Sequence, residues 1–197
     1  MTTDTEELGG RLPLLDPLTL SAAQKEIYDR INATFVSWSD RINFQSATDD
    51  GRLIGPFNPI LFSPGISASF LDLHDAEEKQ TSLSERVRQV VILATGAVWQ
   101  SEYELYAHSA AALQAGIPEK AIRTLAAGGL PDDLSEQETV AQRYARQFSA
   151  RHRVDAALYG AAVHAFGEKG VVDLTYLIGI YHITCGLLNS FDIPRPG

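Results

Sequence analysis

Residues 99–116 read WQSEYELYAHSAAALQAG. Ser101, Glu104 and His108 recur at steps of three and four, a spacing that puts side chains on one face of an α-helix. At 100° per residue the three fall within about 60° of one another. Leu105 and Ala112 border that sector, so the face is expected to look inward, and Gly116 stops the helix. S-x-x-E is also the capping-box pattern, in which Ser accepts from one orphan amide and Glu reaches back to another. The same pattern occurs at Ser82 with Glu85 and at Ser135 with Glu138, so a capped helix start at Ser101 is the simplest reading. A helix start can also be an anion site, so capping does not exclude chemistry. His108 goes beyond what a cap requires. A Glu and a His on an inward face need partners or a cavity. A Glu one turn before a His can pair with it and set its tautomer and basicity.

Outward from this stretch the chain reads as helix after helix. The segment 84–99, SERVRQVVILATGAVW, places Val87, Val90, Val91, Ala94 and Val98 on one stripe. Further helices are expected over 21–38, 66–80, 118–129, 135–150, 155–166 and 171–191. Pro118 sits in a first turn, and Gly128 with Gly129 make a stop. The last of these helices is apolar nearly all round, which suits either a central position or a subunit contact. Residues 1 to about 18 read as a loose arm with Pro13 and Pro17. Residues 40–65 read as a long loop with one short helical turn after Pro59, packed down by Phe57, Ile60, Leu61 and Phe62. No strand alternation stands out. The expectation is an all-α fold, with residues 1–54 as an N-terminal arm, helix and loop and residues 55–197 as the helical domain.

Composition excludes several classes. The 197-residue chain is 45% hydrophobic and 21% charged, with a formal net charge of −9. That balance speaks against a nucleic-acid surface, which needs clustered cations. Arg143, Arg146, Arg151 and Arg153 coincide with an expected helix end, where cations complement the helix dipole and a solvated face is the plain reading. The single cysteine, Cys185, allows no internal disulfide and fits a reducing cytoplasm. The acidic start MTTDTEELGG lacks the features of a signal peptide, and no uninterrupted apolar run reaches membrane-spanning length. One His with one Glu is too thin a ligand set for zinc, so neither a metal nor a cofactor is expected.

Three stretches, GPFNPILFSP, then RVRQVVILATGAVWQSEYELYAHSAAALQAGIPEKAI, then GEKGVVDLTYLIGIYHITCGLLNSFDIP, carry a likeness. Over residues 55–195 the chain resembles the carboxymuconolactone decarboxylase family, in the superfamily that also holds the alkylhydroperoxidase-D-type proteins. The specific part is the run Y-E-x-x-x-H-x-x-x-A-x-x-A-G. The resemblance implies an alkylhydroperoxidase-D-like helical bundle and a homo-oligomer, a trimer or hexamer. The redox branch carries C-x-x-C, a His four residues later and an upstream relay Glu. On this chain the two thiols fall on Ser101 and Glu104, the His on His108 and the relay Glu on Gln89. Without a nucleophilic thiolate and a resolving partner, peroxide chemistry by that route is excluded.

The resemblance implies a cofactor-independent lyase acting on a small carboxylated lactone or related unsaturated acid. Decarboxylation leaves electron density delocalised into the lactone, so the site must stabilise charge and deliver a proton to carbon. His108 is the candidate proton-transfer residue and Glu104 its partner. Ser101, Arg86 and Gln89 are candidate substrate-binding residues, and Arg52 is a second possible cation for a dianionic substrate. Tyr103 and Tyr106 point away from the His face and are expected at the surface or an interface. His182 and Asn189 share a face of the last helix that suits packing or oligomer contact, and His74 beside Asp75 reads as a surface pair. Two alternatives stay open. One is a related isomerase or lactone hydrolase using the same pair. The other is a non-catalytic oligomeric binding protein whose redox site has decayed.

Overall fold

The structure is a computed structural model that describes residues 5–197. Its helices are α1 (Ala22–Ile31), α2 (Ser37–Ile42), α3 (Phe57–Ile60), α4 (Pro64–Gln80), α5 (Glu85–Trp99), α6 (Glu102–Gln114), α7 (Glu119–Ala126), α8 (Glu136–Arg151) and α9 (Ala156–Ser190). Among the described residues there is no strand, only an isolated antiparallel bridge between Ala47 and Leu53. The fold is all-α, as the periodicity predicts. The chain divides into two compact units, residues 1–75 with 186–197, and residues 76–185. The division expected after residue 54 falls inside the first of these.

In the first unit, Ile27 and Ile31 of α1 pack with Leu53, Phe57, Ile60, Leu61 and Leu71. This contact ties the segment before residue 54 to the segment after it. The arm expected to be loose is fastened. Residues 1–4 lie outside the described residues, but Thr5–Gly9 forms a 3₁₀ turn, and Leu8 and Leu14 are buried. Asn58 grips the arm from both sides: its Oδ1 accepts from the Leu15 amide at 3.1 Å and its Nδ2 donates to the Pro13 carbonyl at 3.1 Å. Prolines thus excluded regular hydrogen bonding there without excluding order. The short helical turn starts at Phe57, before Pro59, which sits in the first turn where its missing N–H costs nothing. Phe62 is 42% exposed and does not join the packed group.

In the second unit α5 is the central helix. Every residue from Val87 to Gly96 is buried, so the apolar stripe read in the sequence is a helix surrounded on all sides. Val90 and Leu93 meet Ala112 of α6, Ile117, and Ala121, Ile122 and Leu125 of α7. Burying side chains of this size stabilises by about 1.5–3 kcal/mol each. The two helices expected over 155–166 and 171–191 are both present within α9, parted by a kink at Gly167, whose φ 69° and ψ 173° are not helical. α9 is long and apolar enough by composition to cross a bilayer. It nonetheless buries Val171, Leu174, Leu177, Ile178, Ile180, Tyr181 and Cys185 while exposing Val172, Tyr176 and Ile183.

Helix starts follow the side-chain chemistry with two exceptions. Ser135 with Glu138 forms a complete capping box, as does Ser21 with Gln24. At α5 the cap is Ser84, whose hydroxyl accepts from the Val87 amide. Ser82, expected to cap with Glu85, instead donates its hydroxyl to Asp173 at 2.7 Å. The second exception is Ser101.

Candidate active site

The chain breaks between α5 and α6 where the sequence WQS suggests. Gln100 closes α5 in the left-handed region (φ 52°), Ser101 is extended, and α6 begins at Glu102. The Ser101 amide is already committed: it donates back across the turn to the Gly96 carbonyl at 3.1 Å. A capping box needs that same amide for the Glu104 carboxyl, so the box cannot form. Ser101 occupies the N-cap position, but its side chain makes no capping bond. The Glu104 side chain is released to turn inward along α6, against Gly96, where a Cβ would stand 3.4 Å from the Glu104 Cγ and 3.2 Å from Leu105 Cδ2.

Ser101, Glu104 and His108 do share a buried face, at 1%, 2% and 8% exposure. His108 Nε2 lies 3.1 Å from Glu104 Oε1. The distance suits a proton exchange, but the alignment is not that of a hydrogen bond, and Oε1 is buried without a hydrogen-bond partner. The Ser101 hydroxyl is likewise buried, and its only contact is a weak one to the Cys185 thiol that falls short of a well-formed hydrogen bond. Burial alone pushes the Glu104 carboxyl up to about 8, so at neutral pH it is mostly the neutral acid. Orphaned buried polar atoms are uncommon in folded proteins.

Gln89 orients the imidazole. Its Nε2 donates to Glu85 Oε1 at 2.7 Å, and a carboxylate can only accept, which fixes the amide orientation. Gln89 Oε1 therefore faces His108 Nδ1 at 2.8 Å as an acceptor, making Nδ1 the protonated nitrogen. In the neutral ring, Nε2 then presents its lone pair towards Glu104. The orienting partner of His108 is thus Gln89, and Glu104 is the group that holds the mobile proton. Sequence reasoning brought Gln89 in as a substrate contact at the position of the redox branch's relay Glu, and Glu85 only as a cap.

Tyr181 of α9 completes the wall, its ring edge-on to the imidazole at 5.1 Å between centroids. Burial raises its phenol well above the ordinary value, with Glu104 adding to the effect. One turn later Cys185 is fully buried. Burial pushes its thiol up, Glu104 pushes further, and Ser101 pulls slightly back, so it is a protonated, inert thiol. Tyr181 and Cys185 escaped the sequence reading because they lie in an apolar run without a spacing signal. The only hint was their separation of four on one helix.

The expected cation is otherwise engaged. Arg86 Nε donates to Glu138 Oε1 at 2.6 Å, and its Nη1 donates to the Gly116 carbonyl, clamping α5 to α8 and to the end of α6. Arg88, two residues on, is the buried guanidinium. Its Nη1 donates to both oxygens of Glu77, at 2.9 and 2.7 Å. Burial opposes the Arg88 charge, and Glu77 more than offsets it. Burial also pushes the Glu77 carboxyl up, with Arg88 pulling it back. Arg88 Nε stands 3.4 Å from Glu85 Oε2 without a good hydrogen bond. Arg52 pairs with Asp50 in the first unit.

Other expectations resolve simply. Tyr103 is buried at 1% exposure, not at the surface. The buried arc of α6 runs from Tyr103 through Ala107, Ala111, Glu104 and His108 to Ala112, about half the helix circumference. Pointing away from His108 therefore does not mean pointing to solvent. His182 accepts or donates at 2.8 Å with the Ser149 hydroxyl and stacks on Phe148, a packing role. His74 packs edge-on against Phe35 in the first unit.

Residues 64–147 match the carboxymuconolactone decarboxylase family profile. No functionally curated protein matches the chain. Among solved structures, a peroxidase-related protein from Ralstonia eutropha JMP134 with an alkylhydroperoxidase AhpD core aligns at a TM-score of 0.75 and 20% identity, over 96% of this chain and 93% of its own. A peroxidase-related protein from Silicibacter sp. TM1040 aligns at 0.71 and 13% identity, over 99% and 95%. The debrominase Bmp8 in complex with 2,3,4-tribromopyrrole aligns at 0.68 and 13% identity, over 100% and 95%. Identities this low speak for the fold alone. Residues 64–147 thus match the carboxymuconolactone decarboxylase family model, and the chain has an alkylhydroperoxidase-D-like all-helical fold.

Proposed function

We propose that this protein is a cofactor-independent acid–base enzyme acting on a small unsaturated lactone or related acid, with decarboxylation of a carboxylated lactone as its reaction. The observation that carries this is the proton arrangement: a neutral Glu104 whose carboxyl oxygen lies 3.1 Å from His108 Nε2, in an imidazole whose Nδ1 is held by Gln89. In the reaction the bond to the departing carboxylate breaks and its electron pair delocalises into the lactone. Glu104 supplies the proton through His108 to carbon, and carbon dioxide leaves. Glu104 is then reprotonated from water. Because Arg86 and Arg88 are both engaged, a second carboxylate on the substrate would meet the Glu104 O–H or the Ser101 hydroxyl as donors, not a free guanidinium. Thiol-based peroxide reduction is not part of this reading, because Ser101 and Glu104 replace a thiol pair and Cys185 is sealed.

The test is turnover of 4-carboxymuconolactone and other unsaturated lactones, followed by carbon dioxide release. His108→Ala should lower turnover by about 10²–10⁴-fold, the usual worth of a positioned general acid–base group. Glu104→Gln keeps the shape but cannot supply the proton, so it should lower turnover by a similar factor of about 10²–10⁴. Wild-type turnover in His108→Ala would remove this proposal. A non-catalytic oligomeric binding protein is the second reading. It is favoured by the small exposure of the three site residues, and it predicts no turnover of any lactone by the wild-type protein.

A further inference from the structure

The structure holds a second candidate site, which shares no residue with the one around His108. A groove of about 790 Å³ runs between α8 and the first turns of α9. One side carries Arg143, Arg146 and Arg151, which with Gln147 occupy an arc of about 140° on α8. The other side is apolar, with Leu130, Ala157, Leu158 and Ala161. We propose that this groove binds a small organic anion that has an apolar body and at least two acidic groups, carboxylate or phosphate.

The charge distribution is the first reason. The protein carries 25 acidic and 16 basic residues, yet this groove gathers three guanidinium groups against one carboxylate, Asp155. That carboxylate is occupied. It accepts from the Leu158 amide at 2.9 Å and from Gln147 Nε2 at 2.8 Å. The bonds to the Leu158 amide and to Gln147 hold it below the ordinary carboxylate range. Arg143, Arg146 and Arg151 are exposed and line the groove, and the Arg151 charge also acts on Asp155.

Preorganisation is the second reason. Gln147 is held twice by Asp155, because its Oε1 also accepts the Asp155 amide at 2.8 Å. Arg146 Nη1 donates to the Gly128 carbonyl at 2.6 Å, which fixes that guanidinium and leaves its other N–H groups for a ligand. A solvated helix end would need neither restraint. The concave shape, the apolar wall and a volume within the usual range of small-molecule sites, about 300–1,000 Å³, complete the case. Guanidinium groups favour carboxylate and phosphate oxygens because their planar donors match them in pairs.

Isothermal titration calorimetry of the intact protein tests the assignment with three probes. Phthalate has an apolar ring and two carboxylates, dimethyl phthalate has the ring without charge, and pyrophosphate has charge without a ring. Phthalate should bind to wild-type protein and weaken at least about tenfold in Arg143→Gln/Arg151→Gln, while Arg143→Lys/Arg151→Lys retains part of the affinity. Dimethyl phthalate should not bind, and pyrophosphate should bind more weakly than phthalate. Both arginines are exposed, so the variants should keep the wild-type circular dichroism and melting temperature. Equal phthalate affinity in the double glutamine variant, or no heat from phthalate in the wild type, would overturn the site. Pyrophosphate binding as tight as phthalate would overturn the apolar half of the assignment.

Discussion

Glu104→Gln should stabilise the protein in a pH-dependent way, and the slope can be worked from the structure. The ordinary value of the carboxyl is 4.5, and burial raises it to about 8 in the fold. Between those limits the folded protein holds a proton that the unfolded chain has released. Stability therefore falls as pH rises, by about 1.4 kcal/mol per pH unit. By pH 7 the accumulated cost is about 3 kcal/mol, and it levels off above pH 8. Gln cannot ionise and escapes that cost, but its amide adds N–H groups that find no acceptor, at about 1 kcal/mol. The variant should thus be more stable than the wild type by about 2 kcal/mol at pH 7. Urea unfolding at pH 5, 6, 7 and 8 measures this directly. The stability difference, variant minus wild type, should climb steadily across the series. An infrared carbonyl band of a protonated carboxyl at pH 7, absent from the variant, should accompany it. A stability difference that stays constant from pH 5 to 8 would refute the reasoning, because it would mean that Glu104 is ionised in the fold.

Arg88→Met should destabilise by about 3–5 kcal/mol, since it leaves the buried Glu77 carboxylate without its partner, and a denaturant titration reads the loss. Arg86→Met, by contrast, breaks a pair whose guanidinium is part exposed, and should cost less in the same titration. The exposed α9 residues Val172, Tyr176 and Ile183 recur at helical spacing, and we propose that they are covered by other copies of the chain. Light scattering at micromolar concentration should then give a mass well above the 21.5 kDa of one chain, and a mass equal to one chain would count against it.

Much of the fold was legible because helical signals are local. The pattern at Ser135 and Glu138, Pro118 at the start of α7 (as its N-cap and not in the first turn), and Gly116 and Gly128 after helix ends each act within a few residues of where they stand. The readings that shifted depended on groups far away in sequence. Ser82 has the same local pattern as Ser135, but Asp173, 91 residues on, accepts its hydroxyl, so the cap moved to Ser84. The arm looked loose because its own sequence has no period, while its order comes from Asn58. Tyr103 was assigned to the surface by its angle from His108, which ignored how wide a buried arc a helix next to the central α5 presents.

The site shows the same division. The spacing of Ser101, Glu104 and His108 was enough to place them on one inward face, yet it could not say which group orients the imidazole. That depends on Gln89, 19 residues away, and on Glu85, whose carboxylate leaves the Gln89 amide only one way to point. Nor could spacing decide between a cap and an acid. The deciding atom is the Ser101 amide, which α5 claims through the Gly96 carbonyl before α6 begins. With that donor taken, Glu104 has no backbone partner, turns into the protein and becomes too costly to ionise at neutral pH. The tight turn between two helices thereby places a protonated carboxyl 3.1 Å from an oriented imidazole nitrogen.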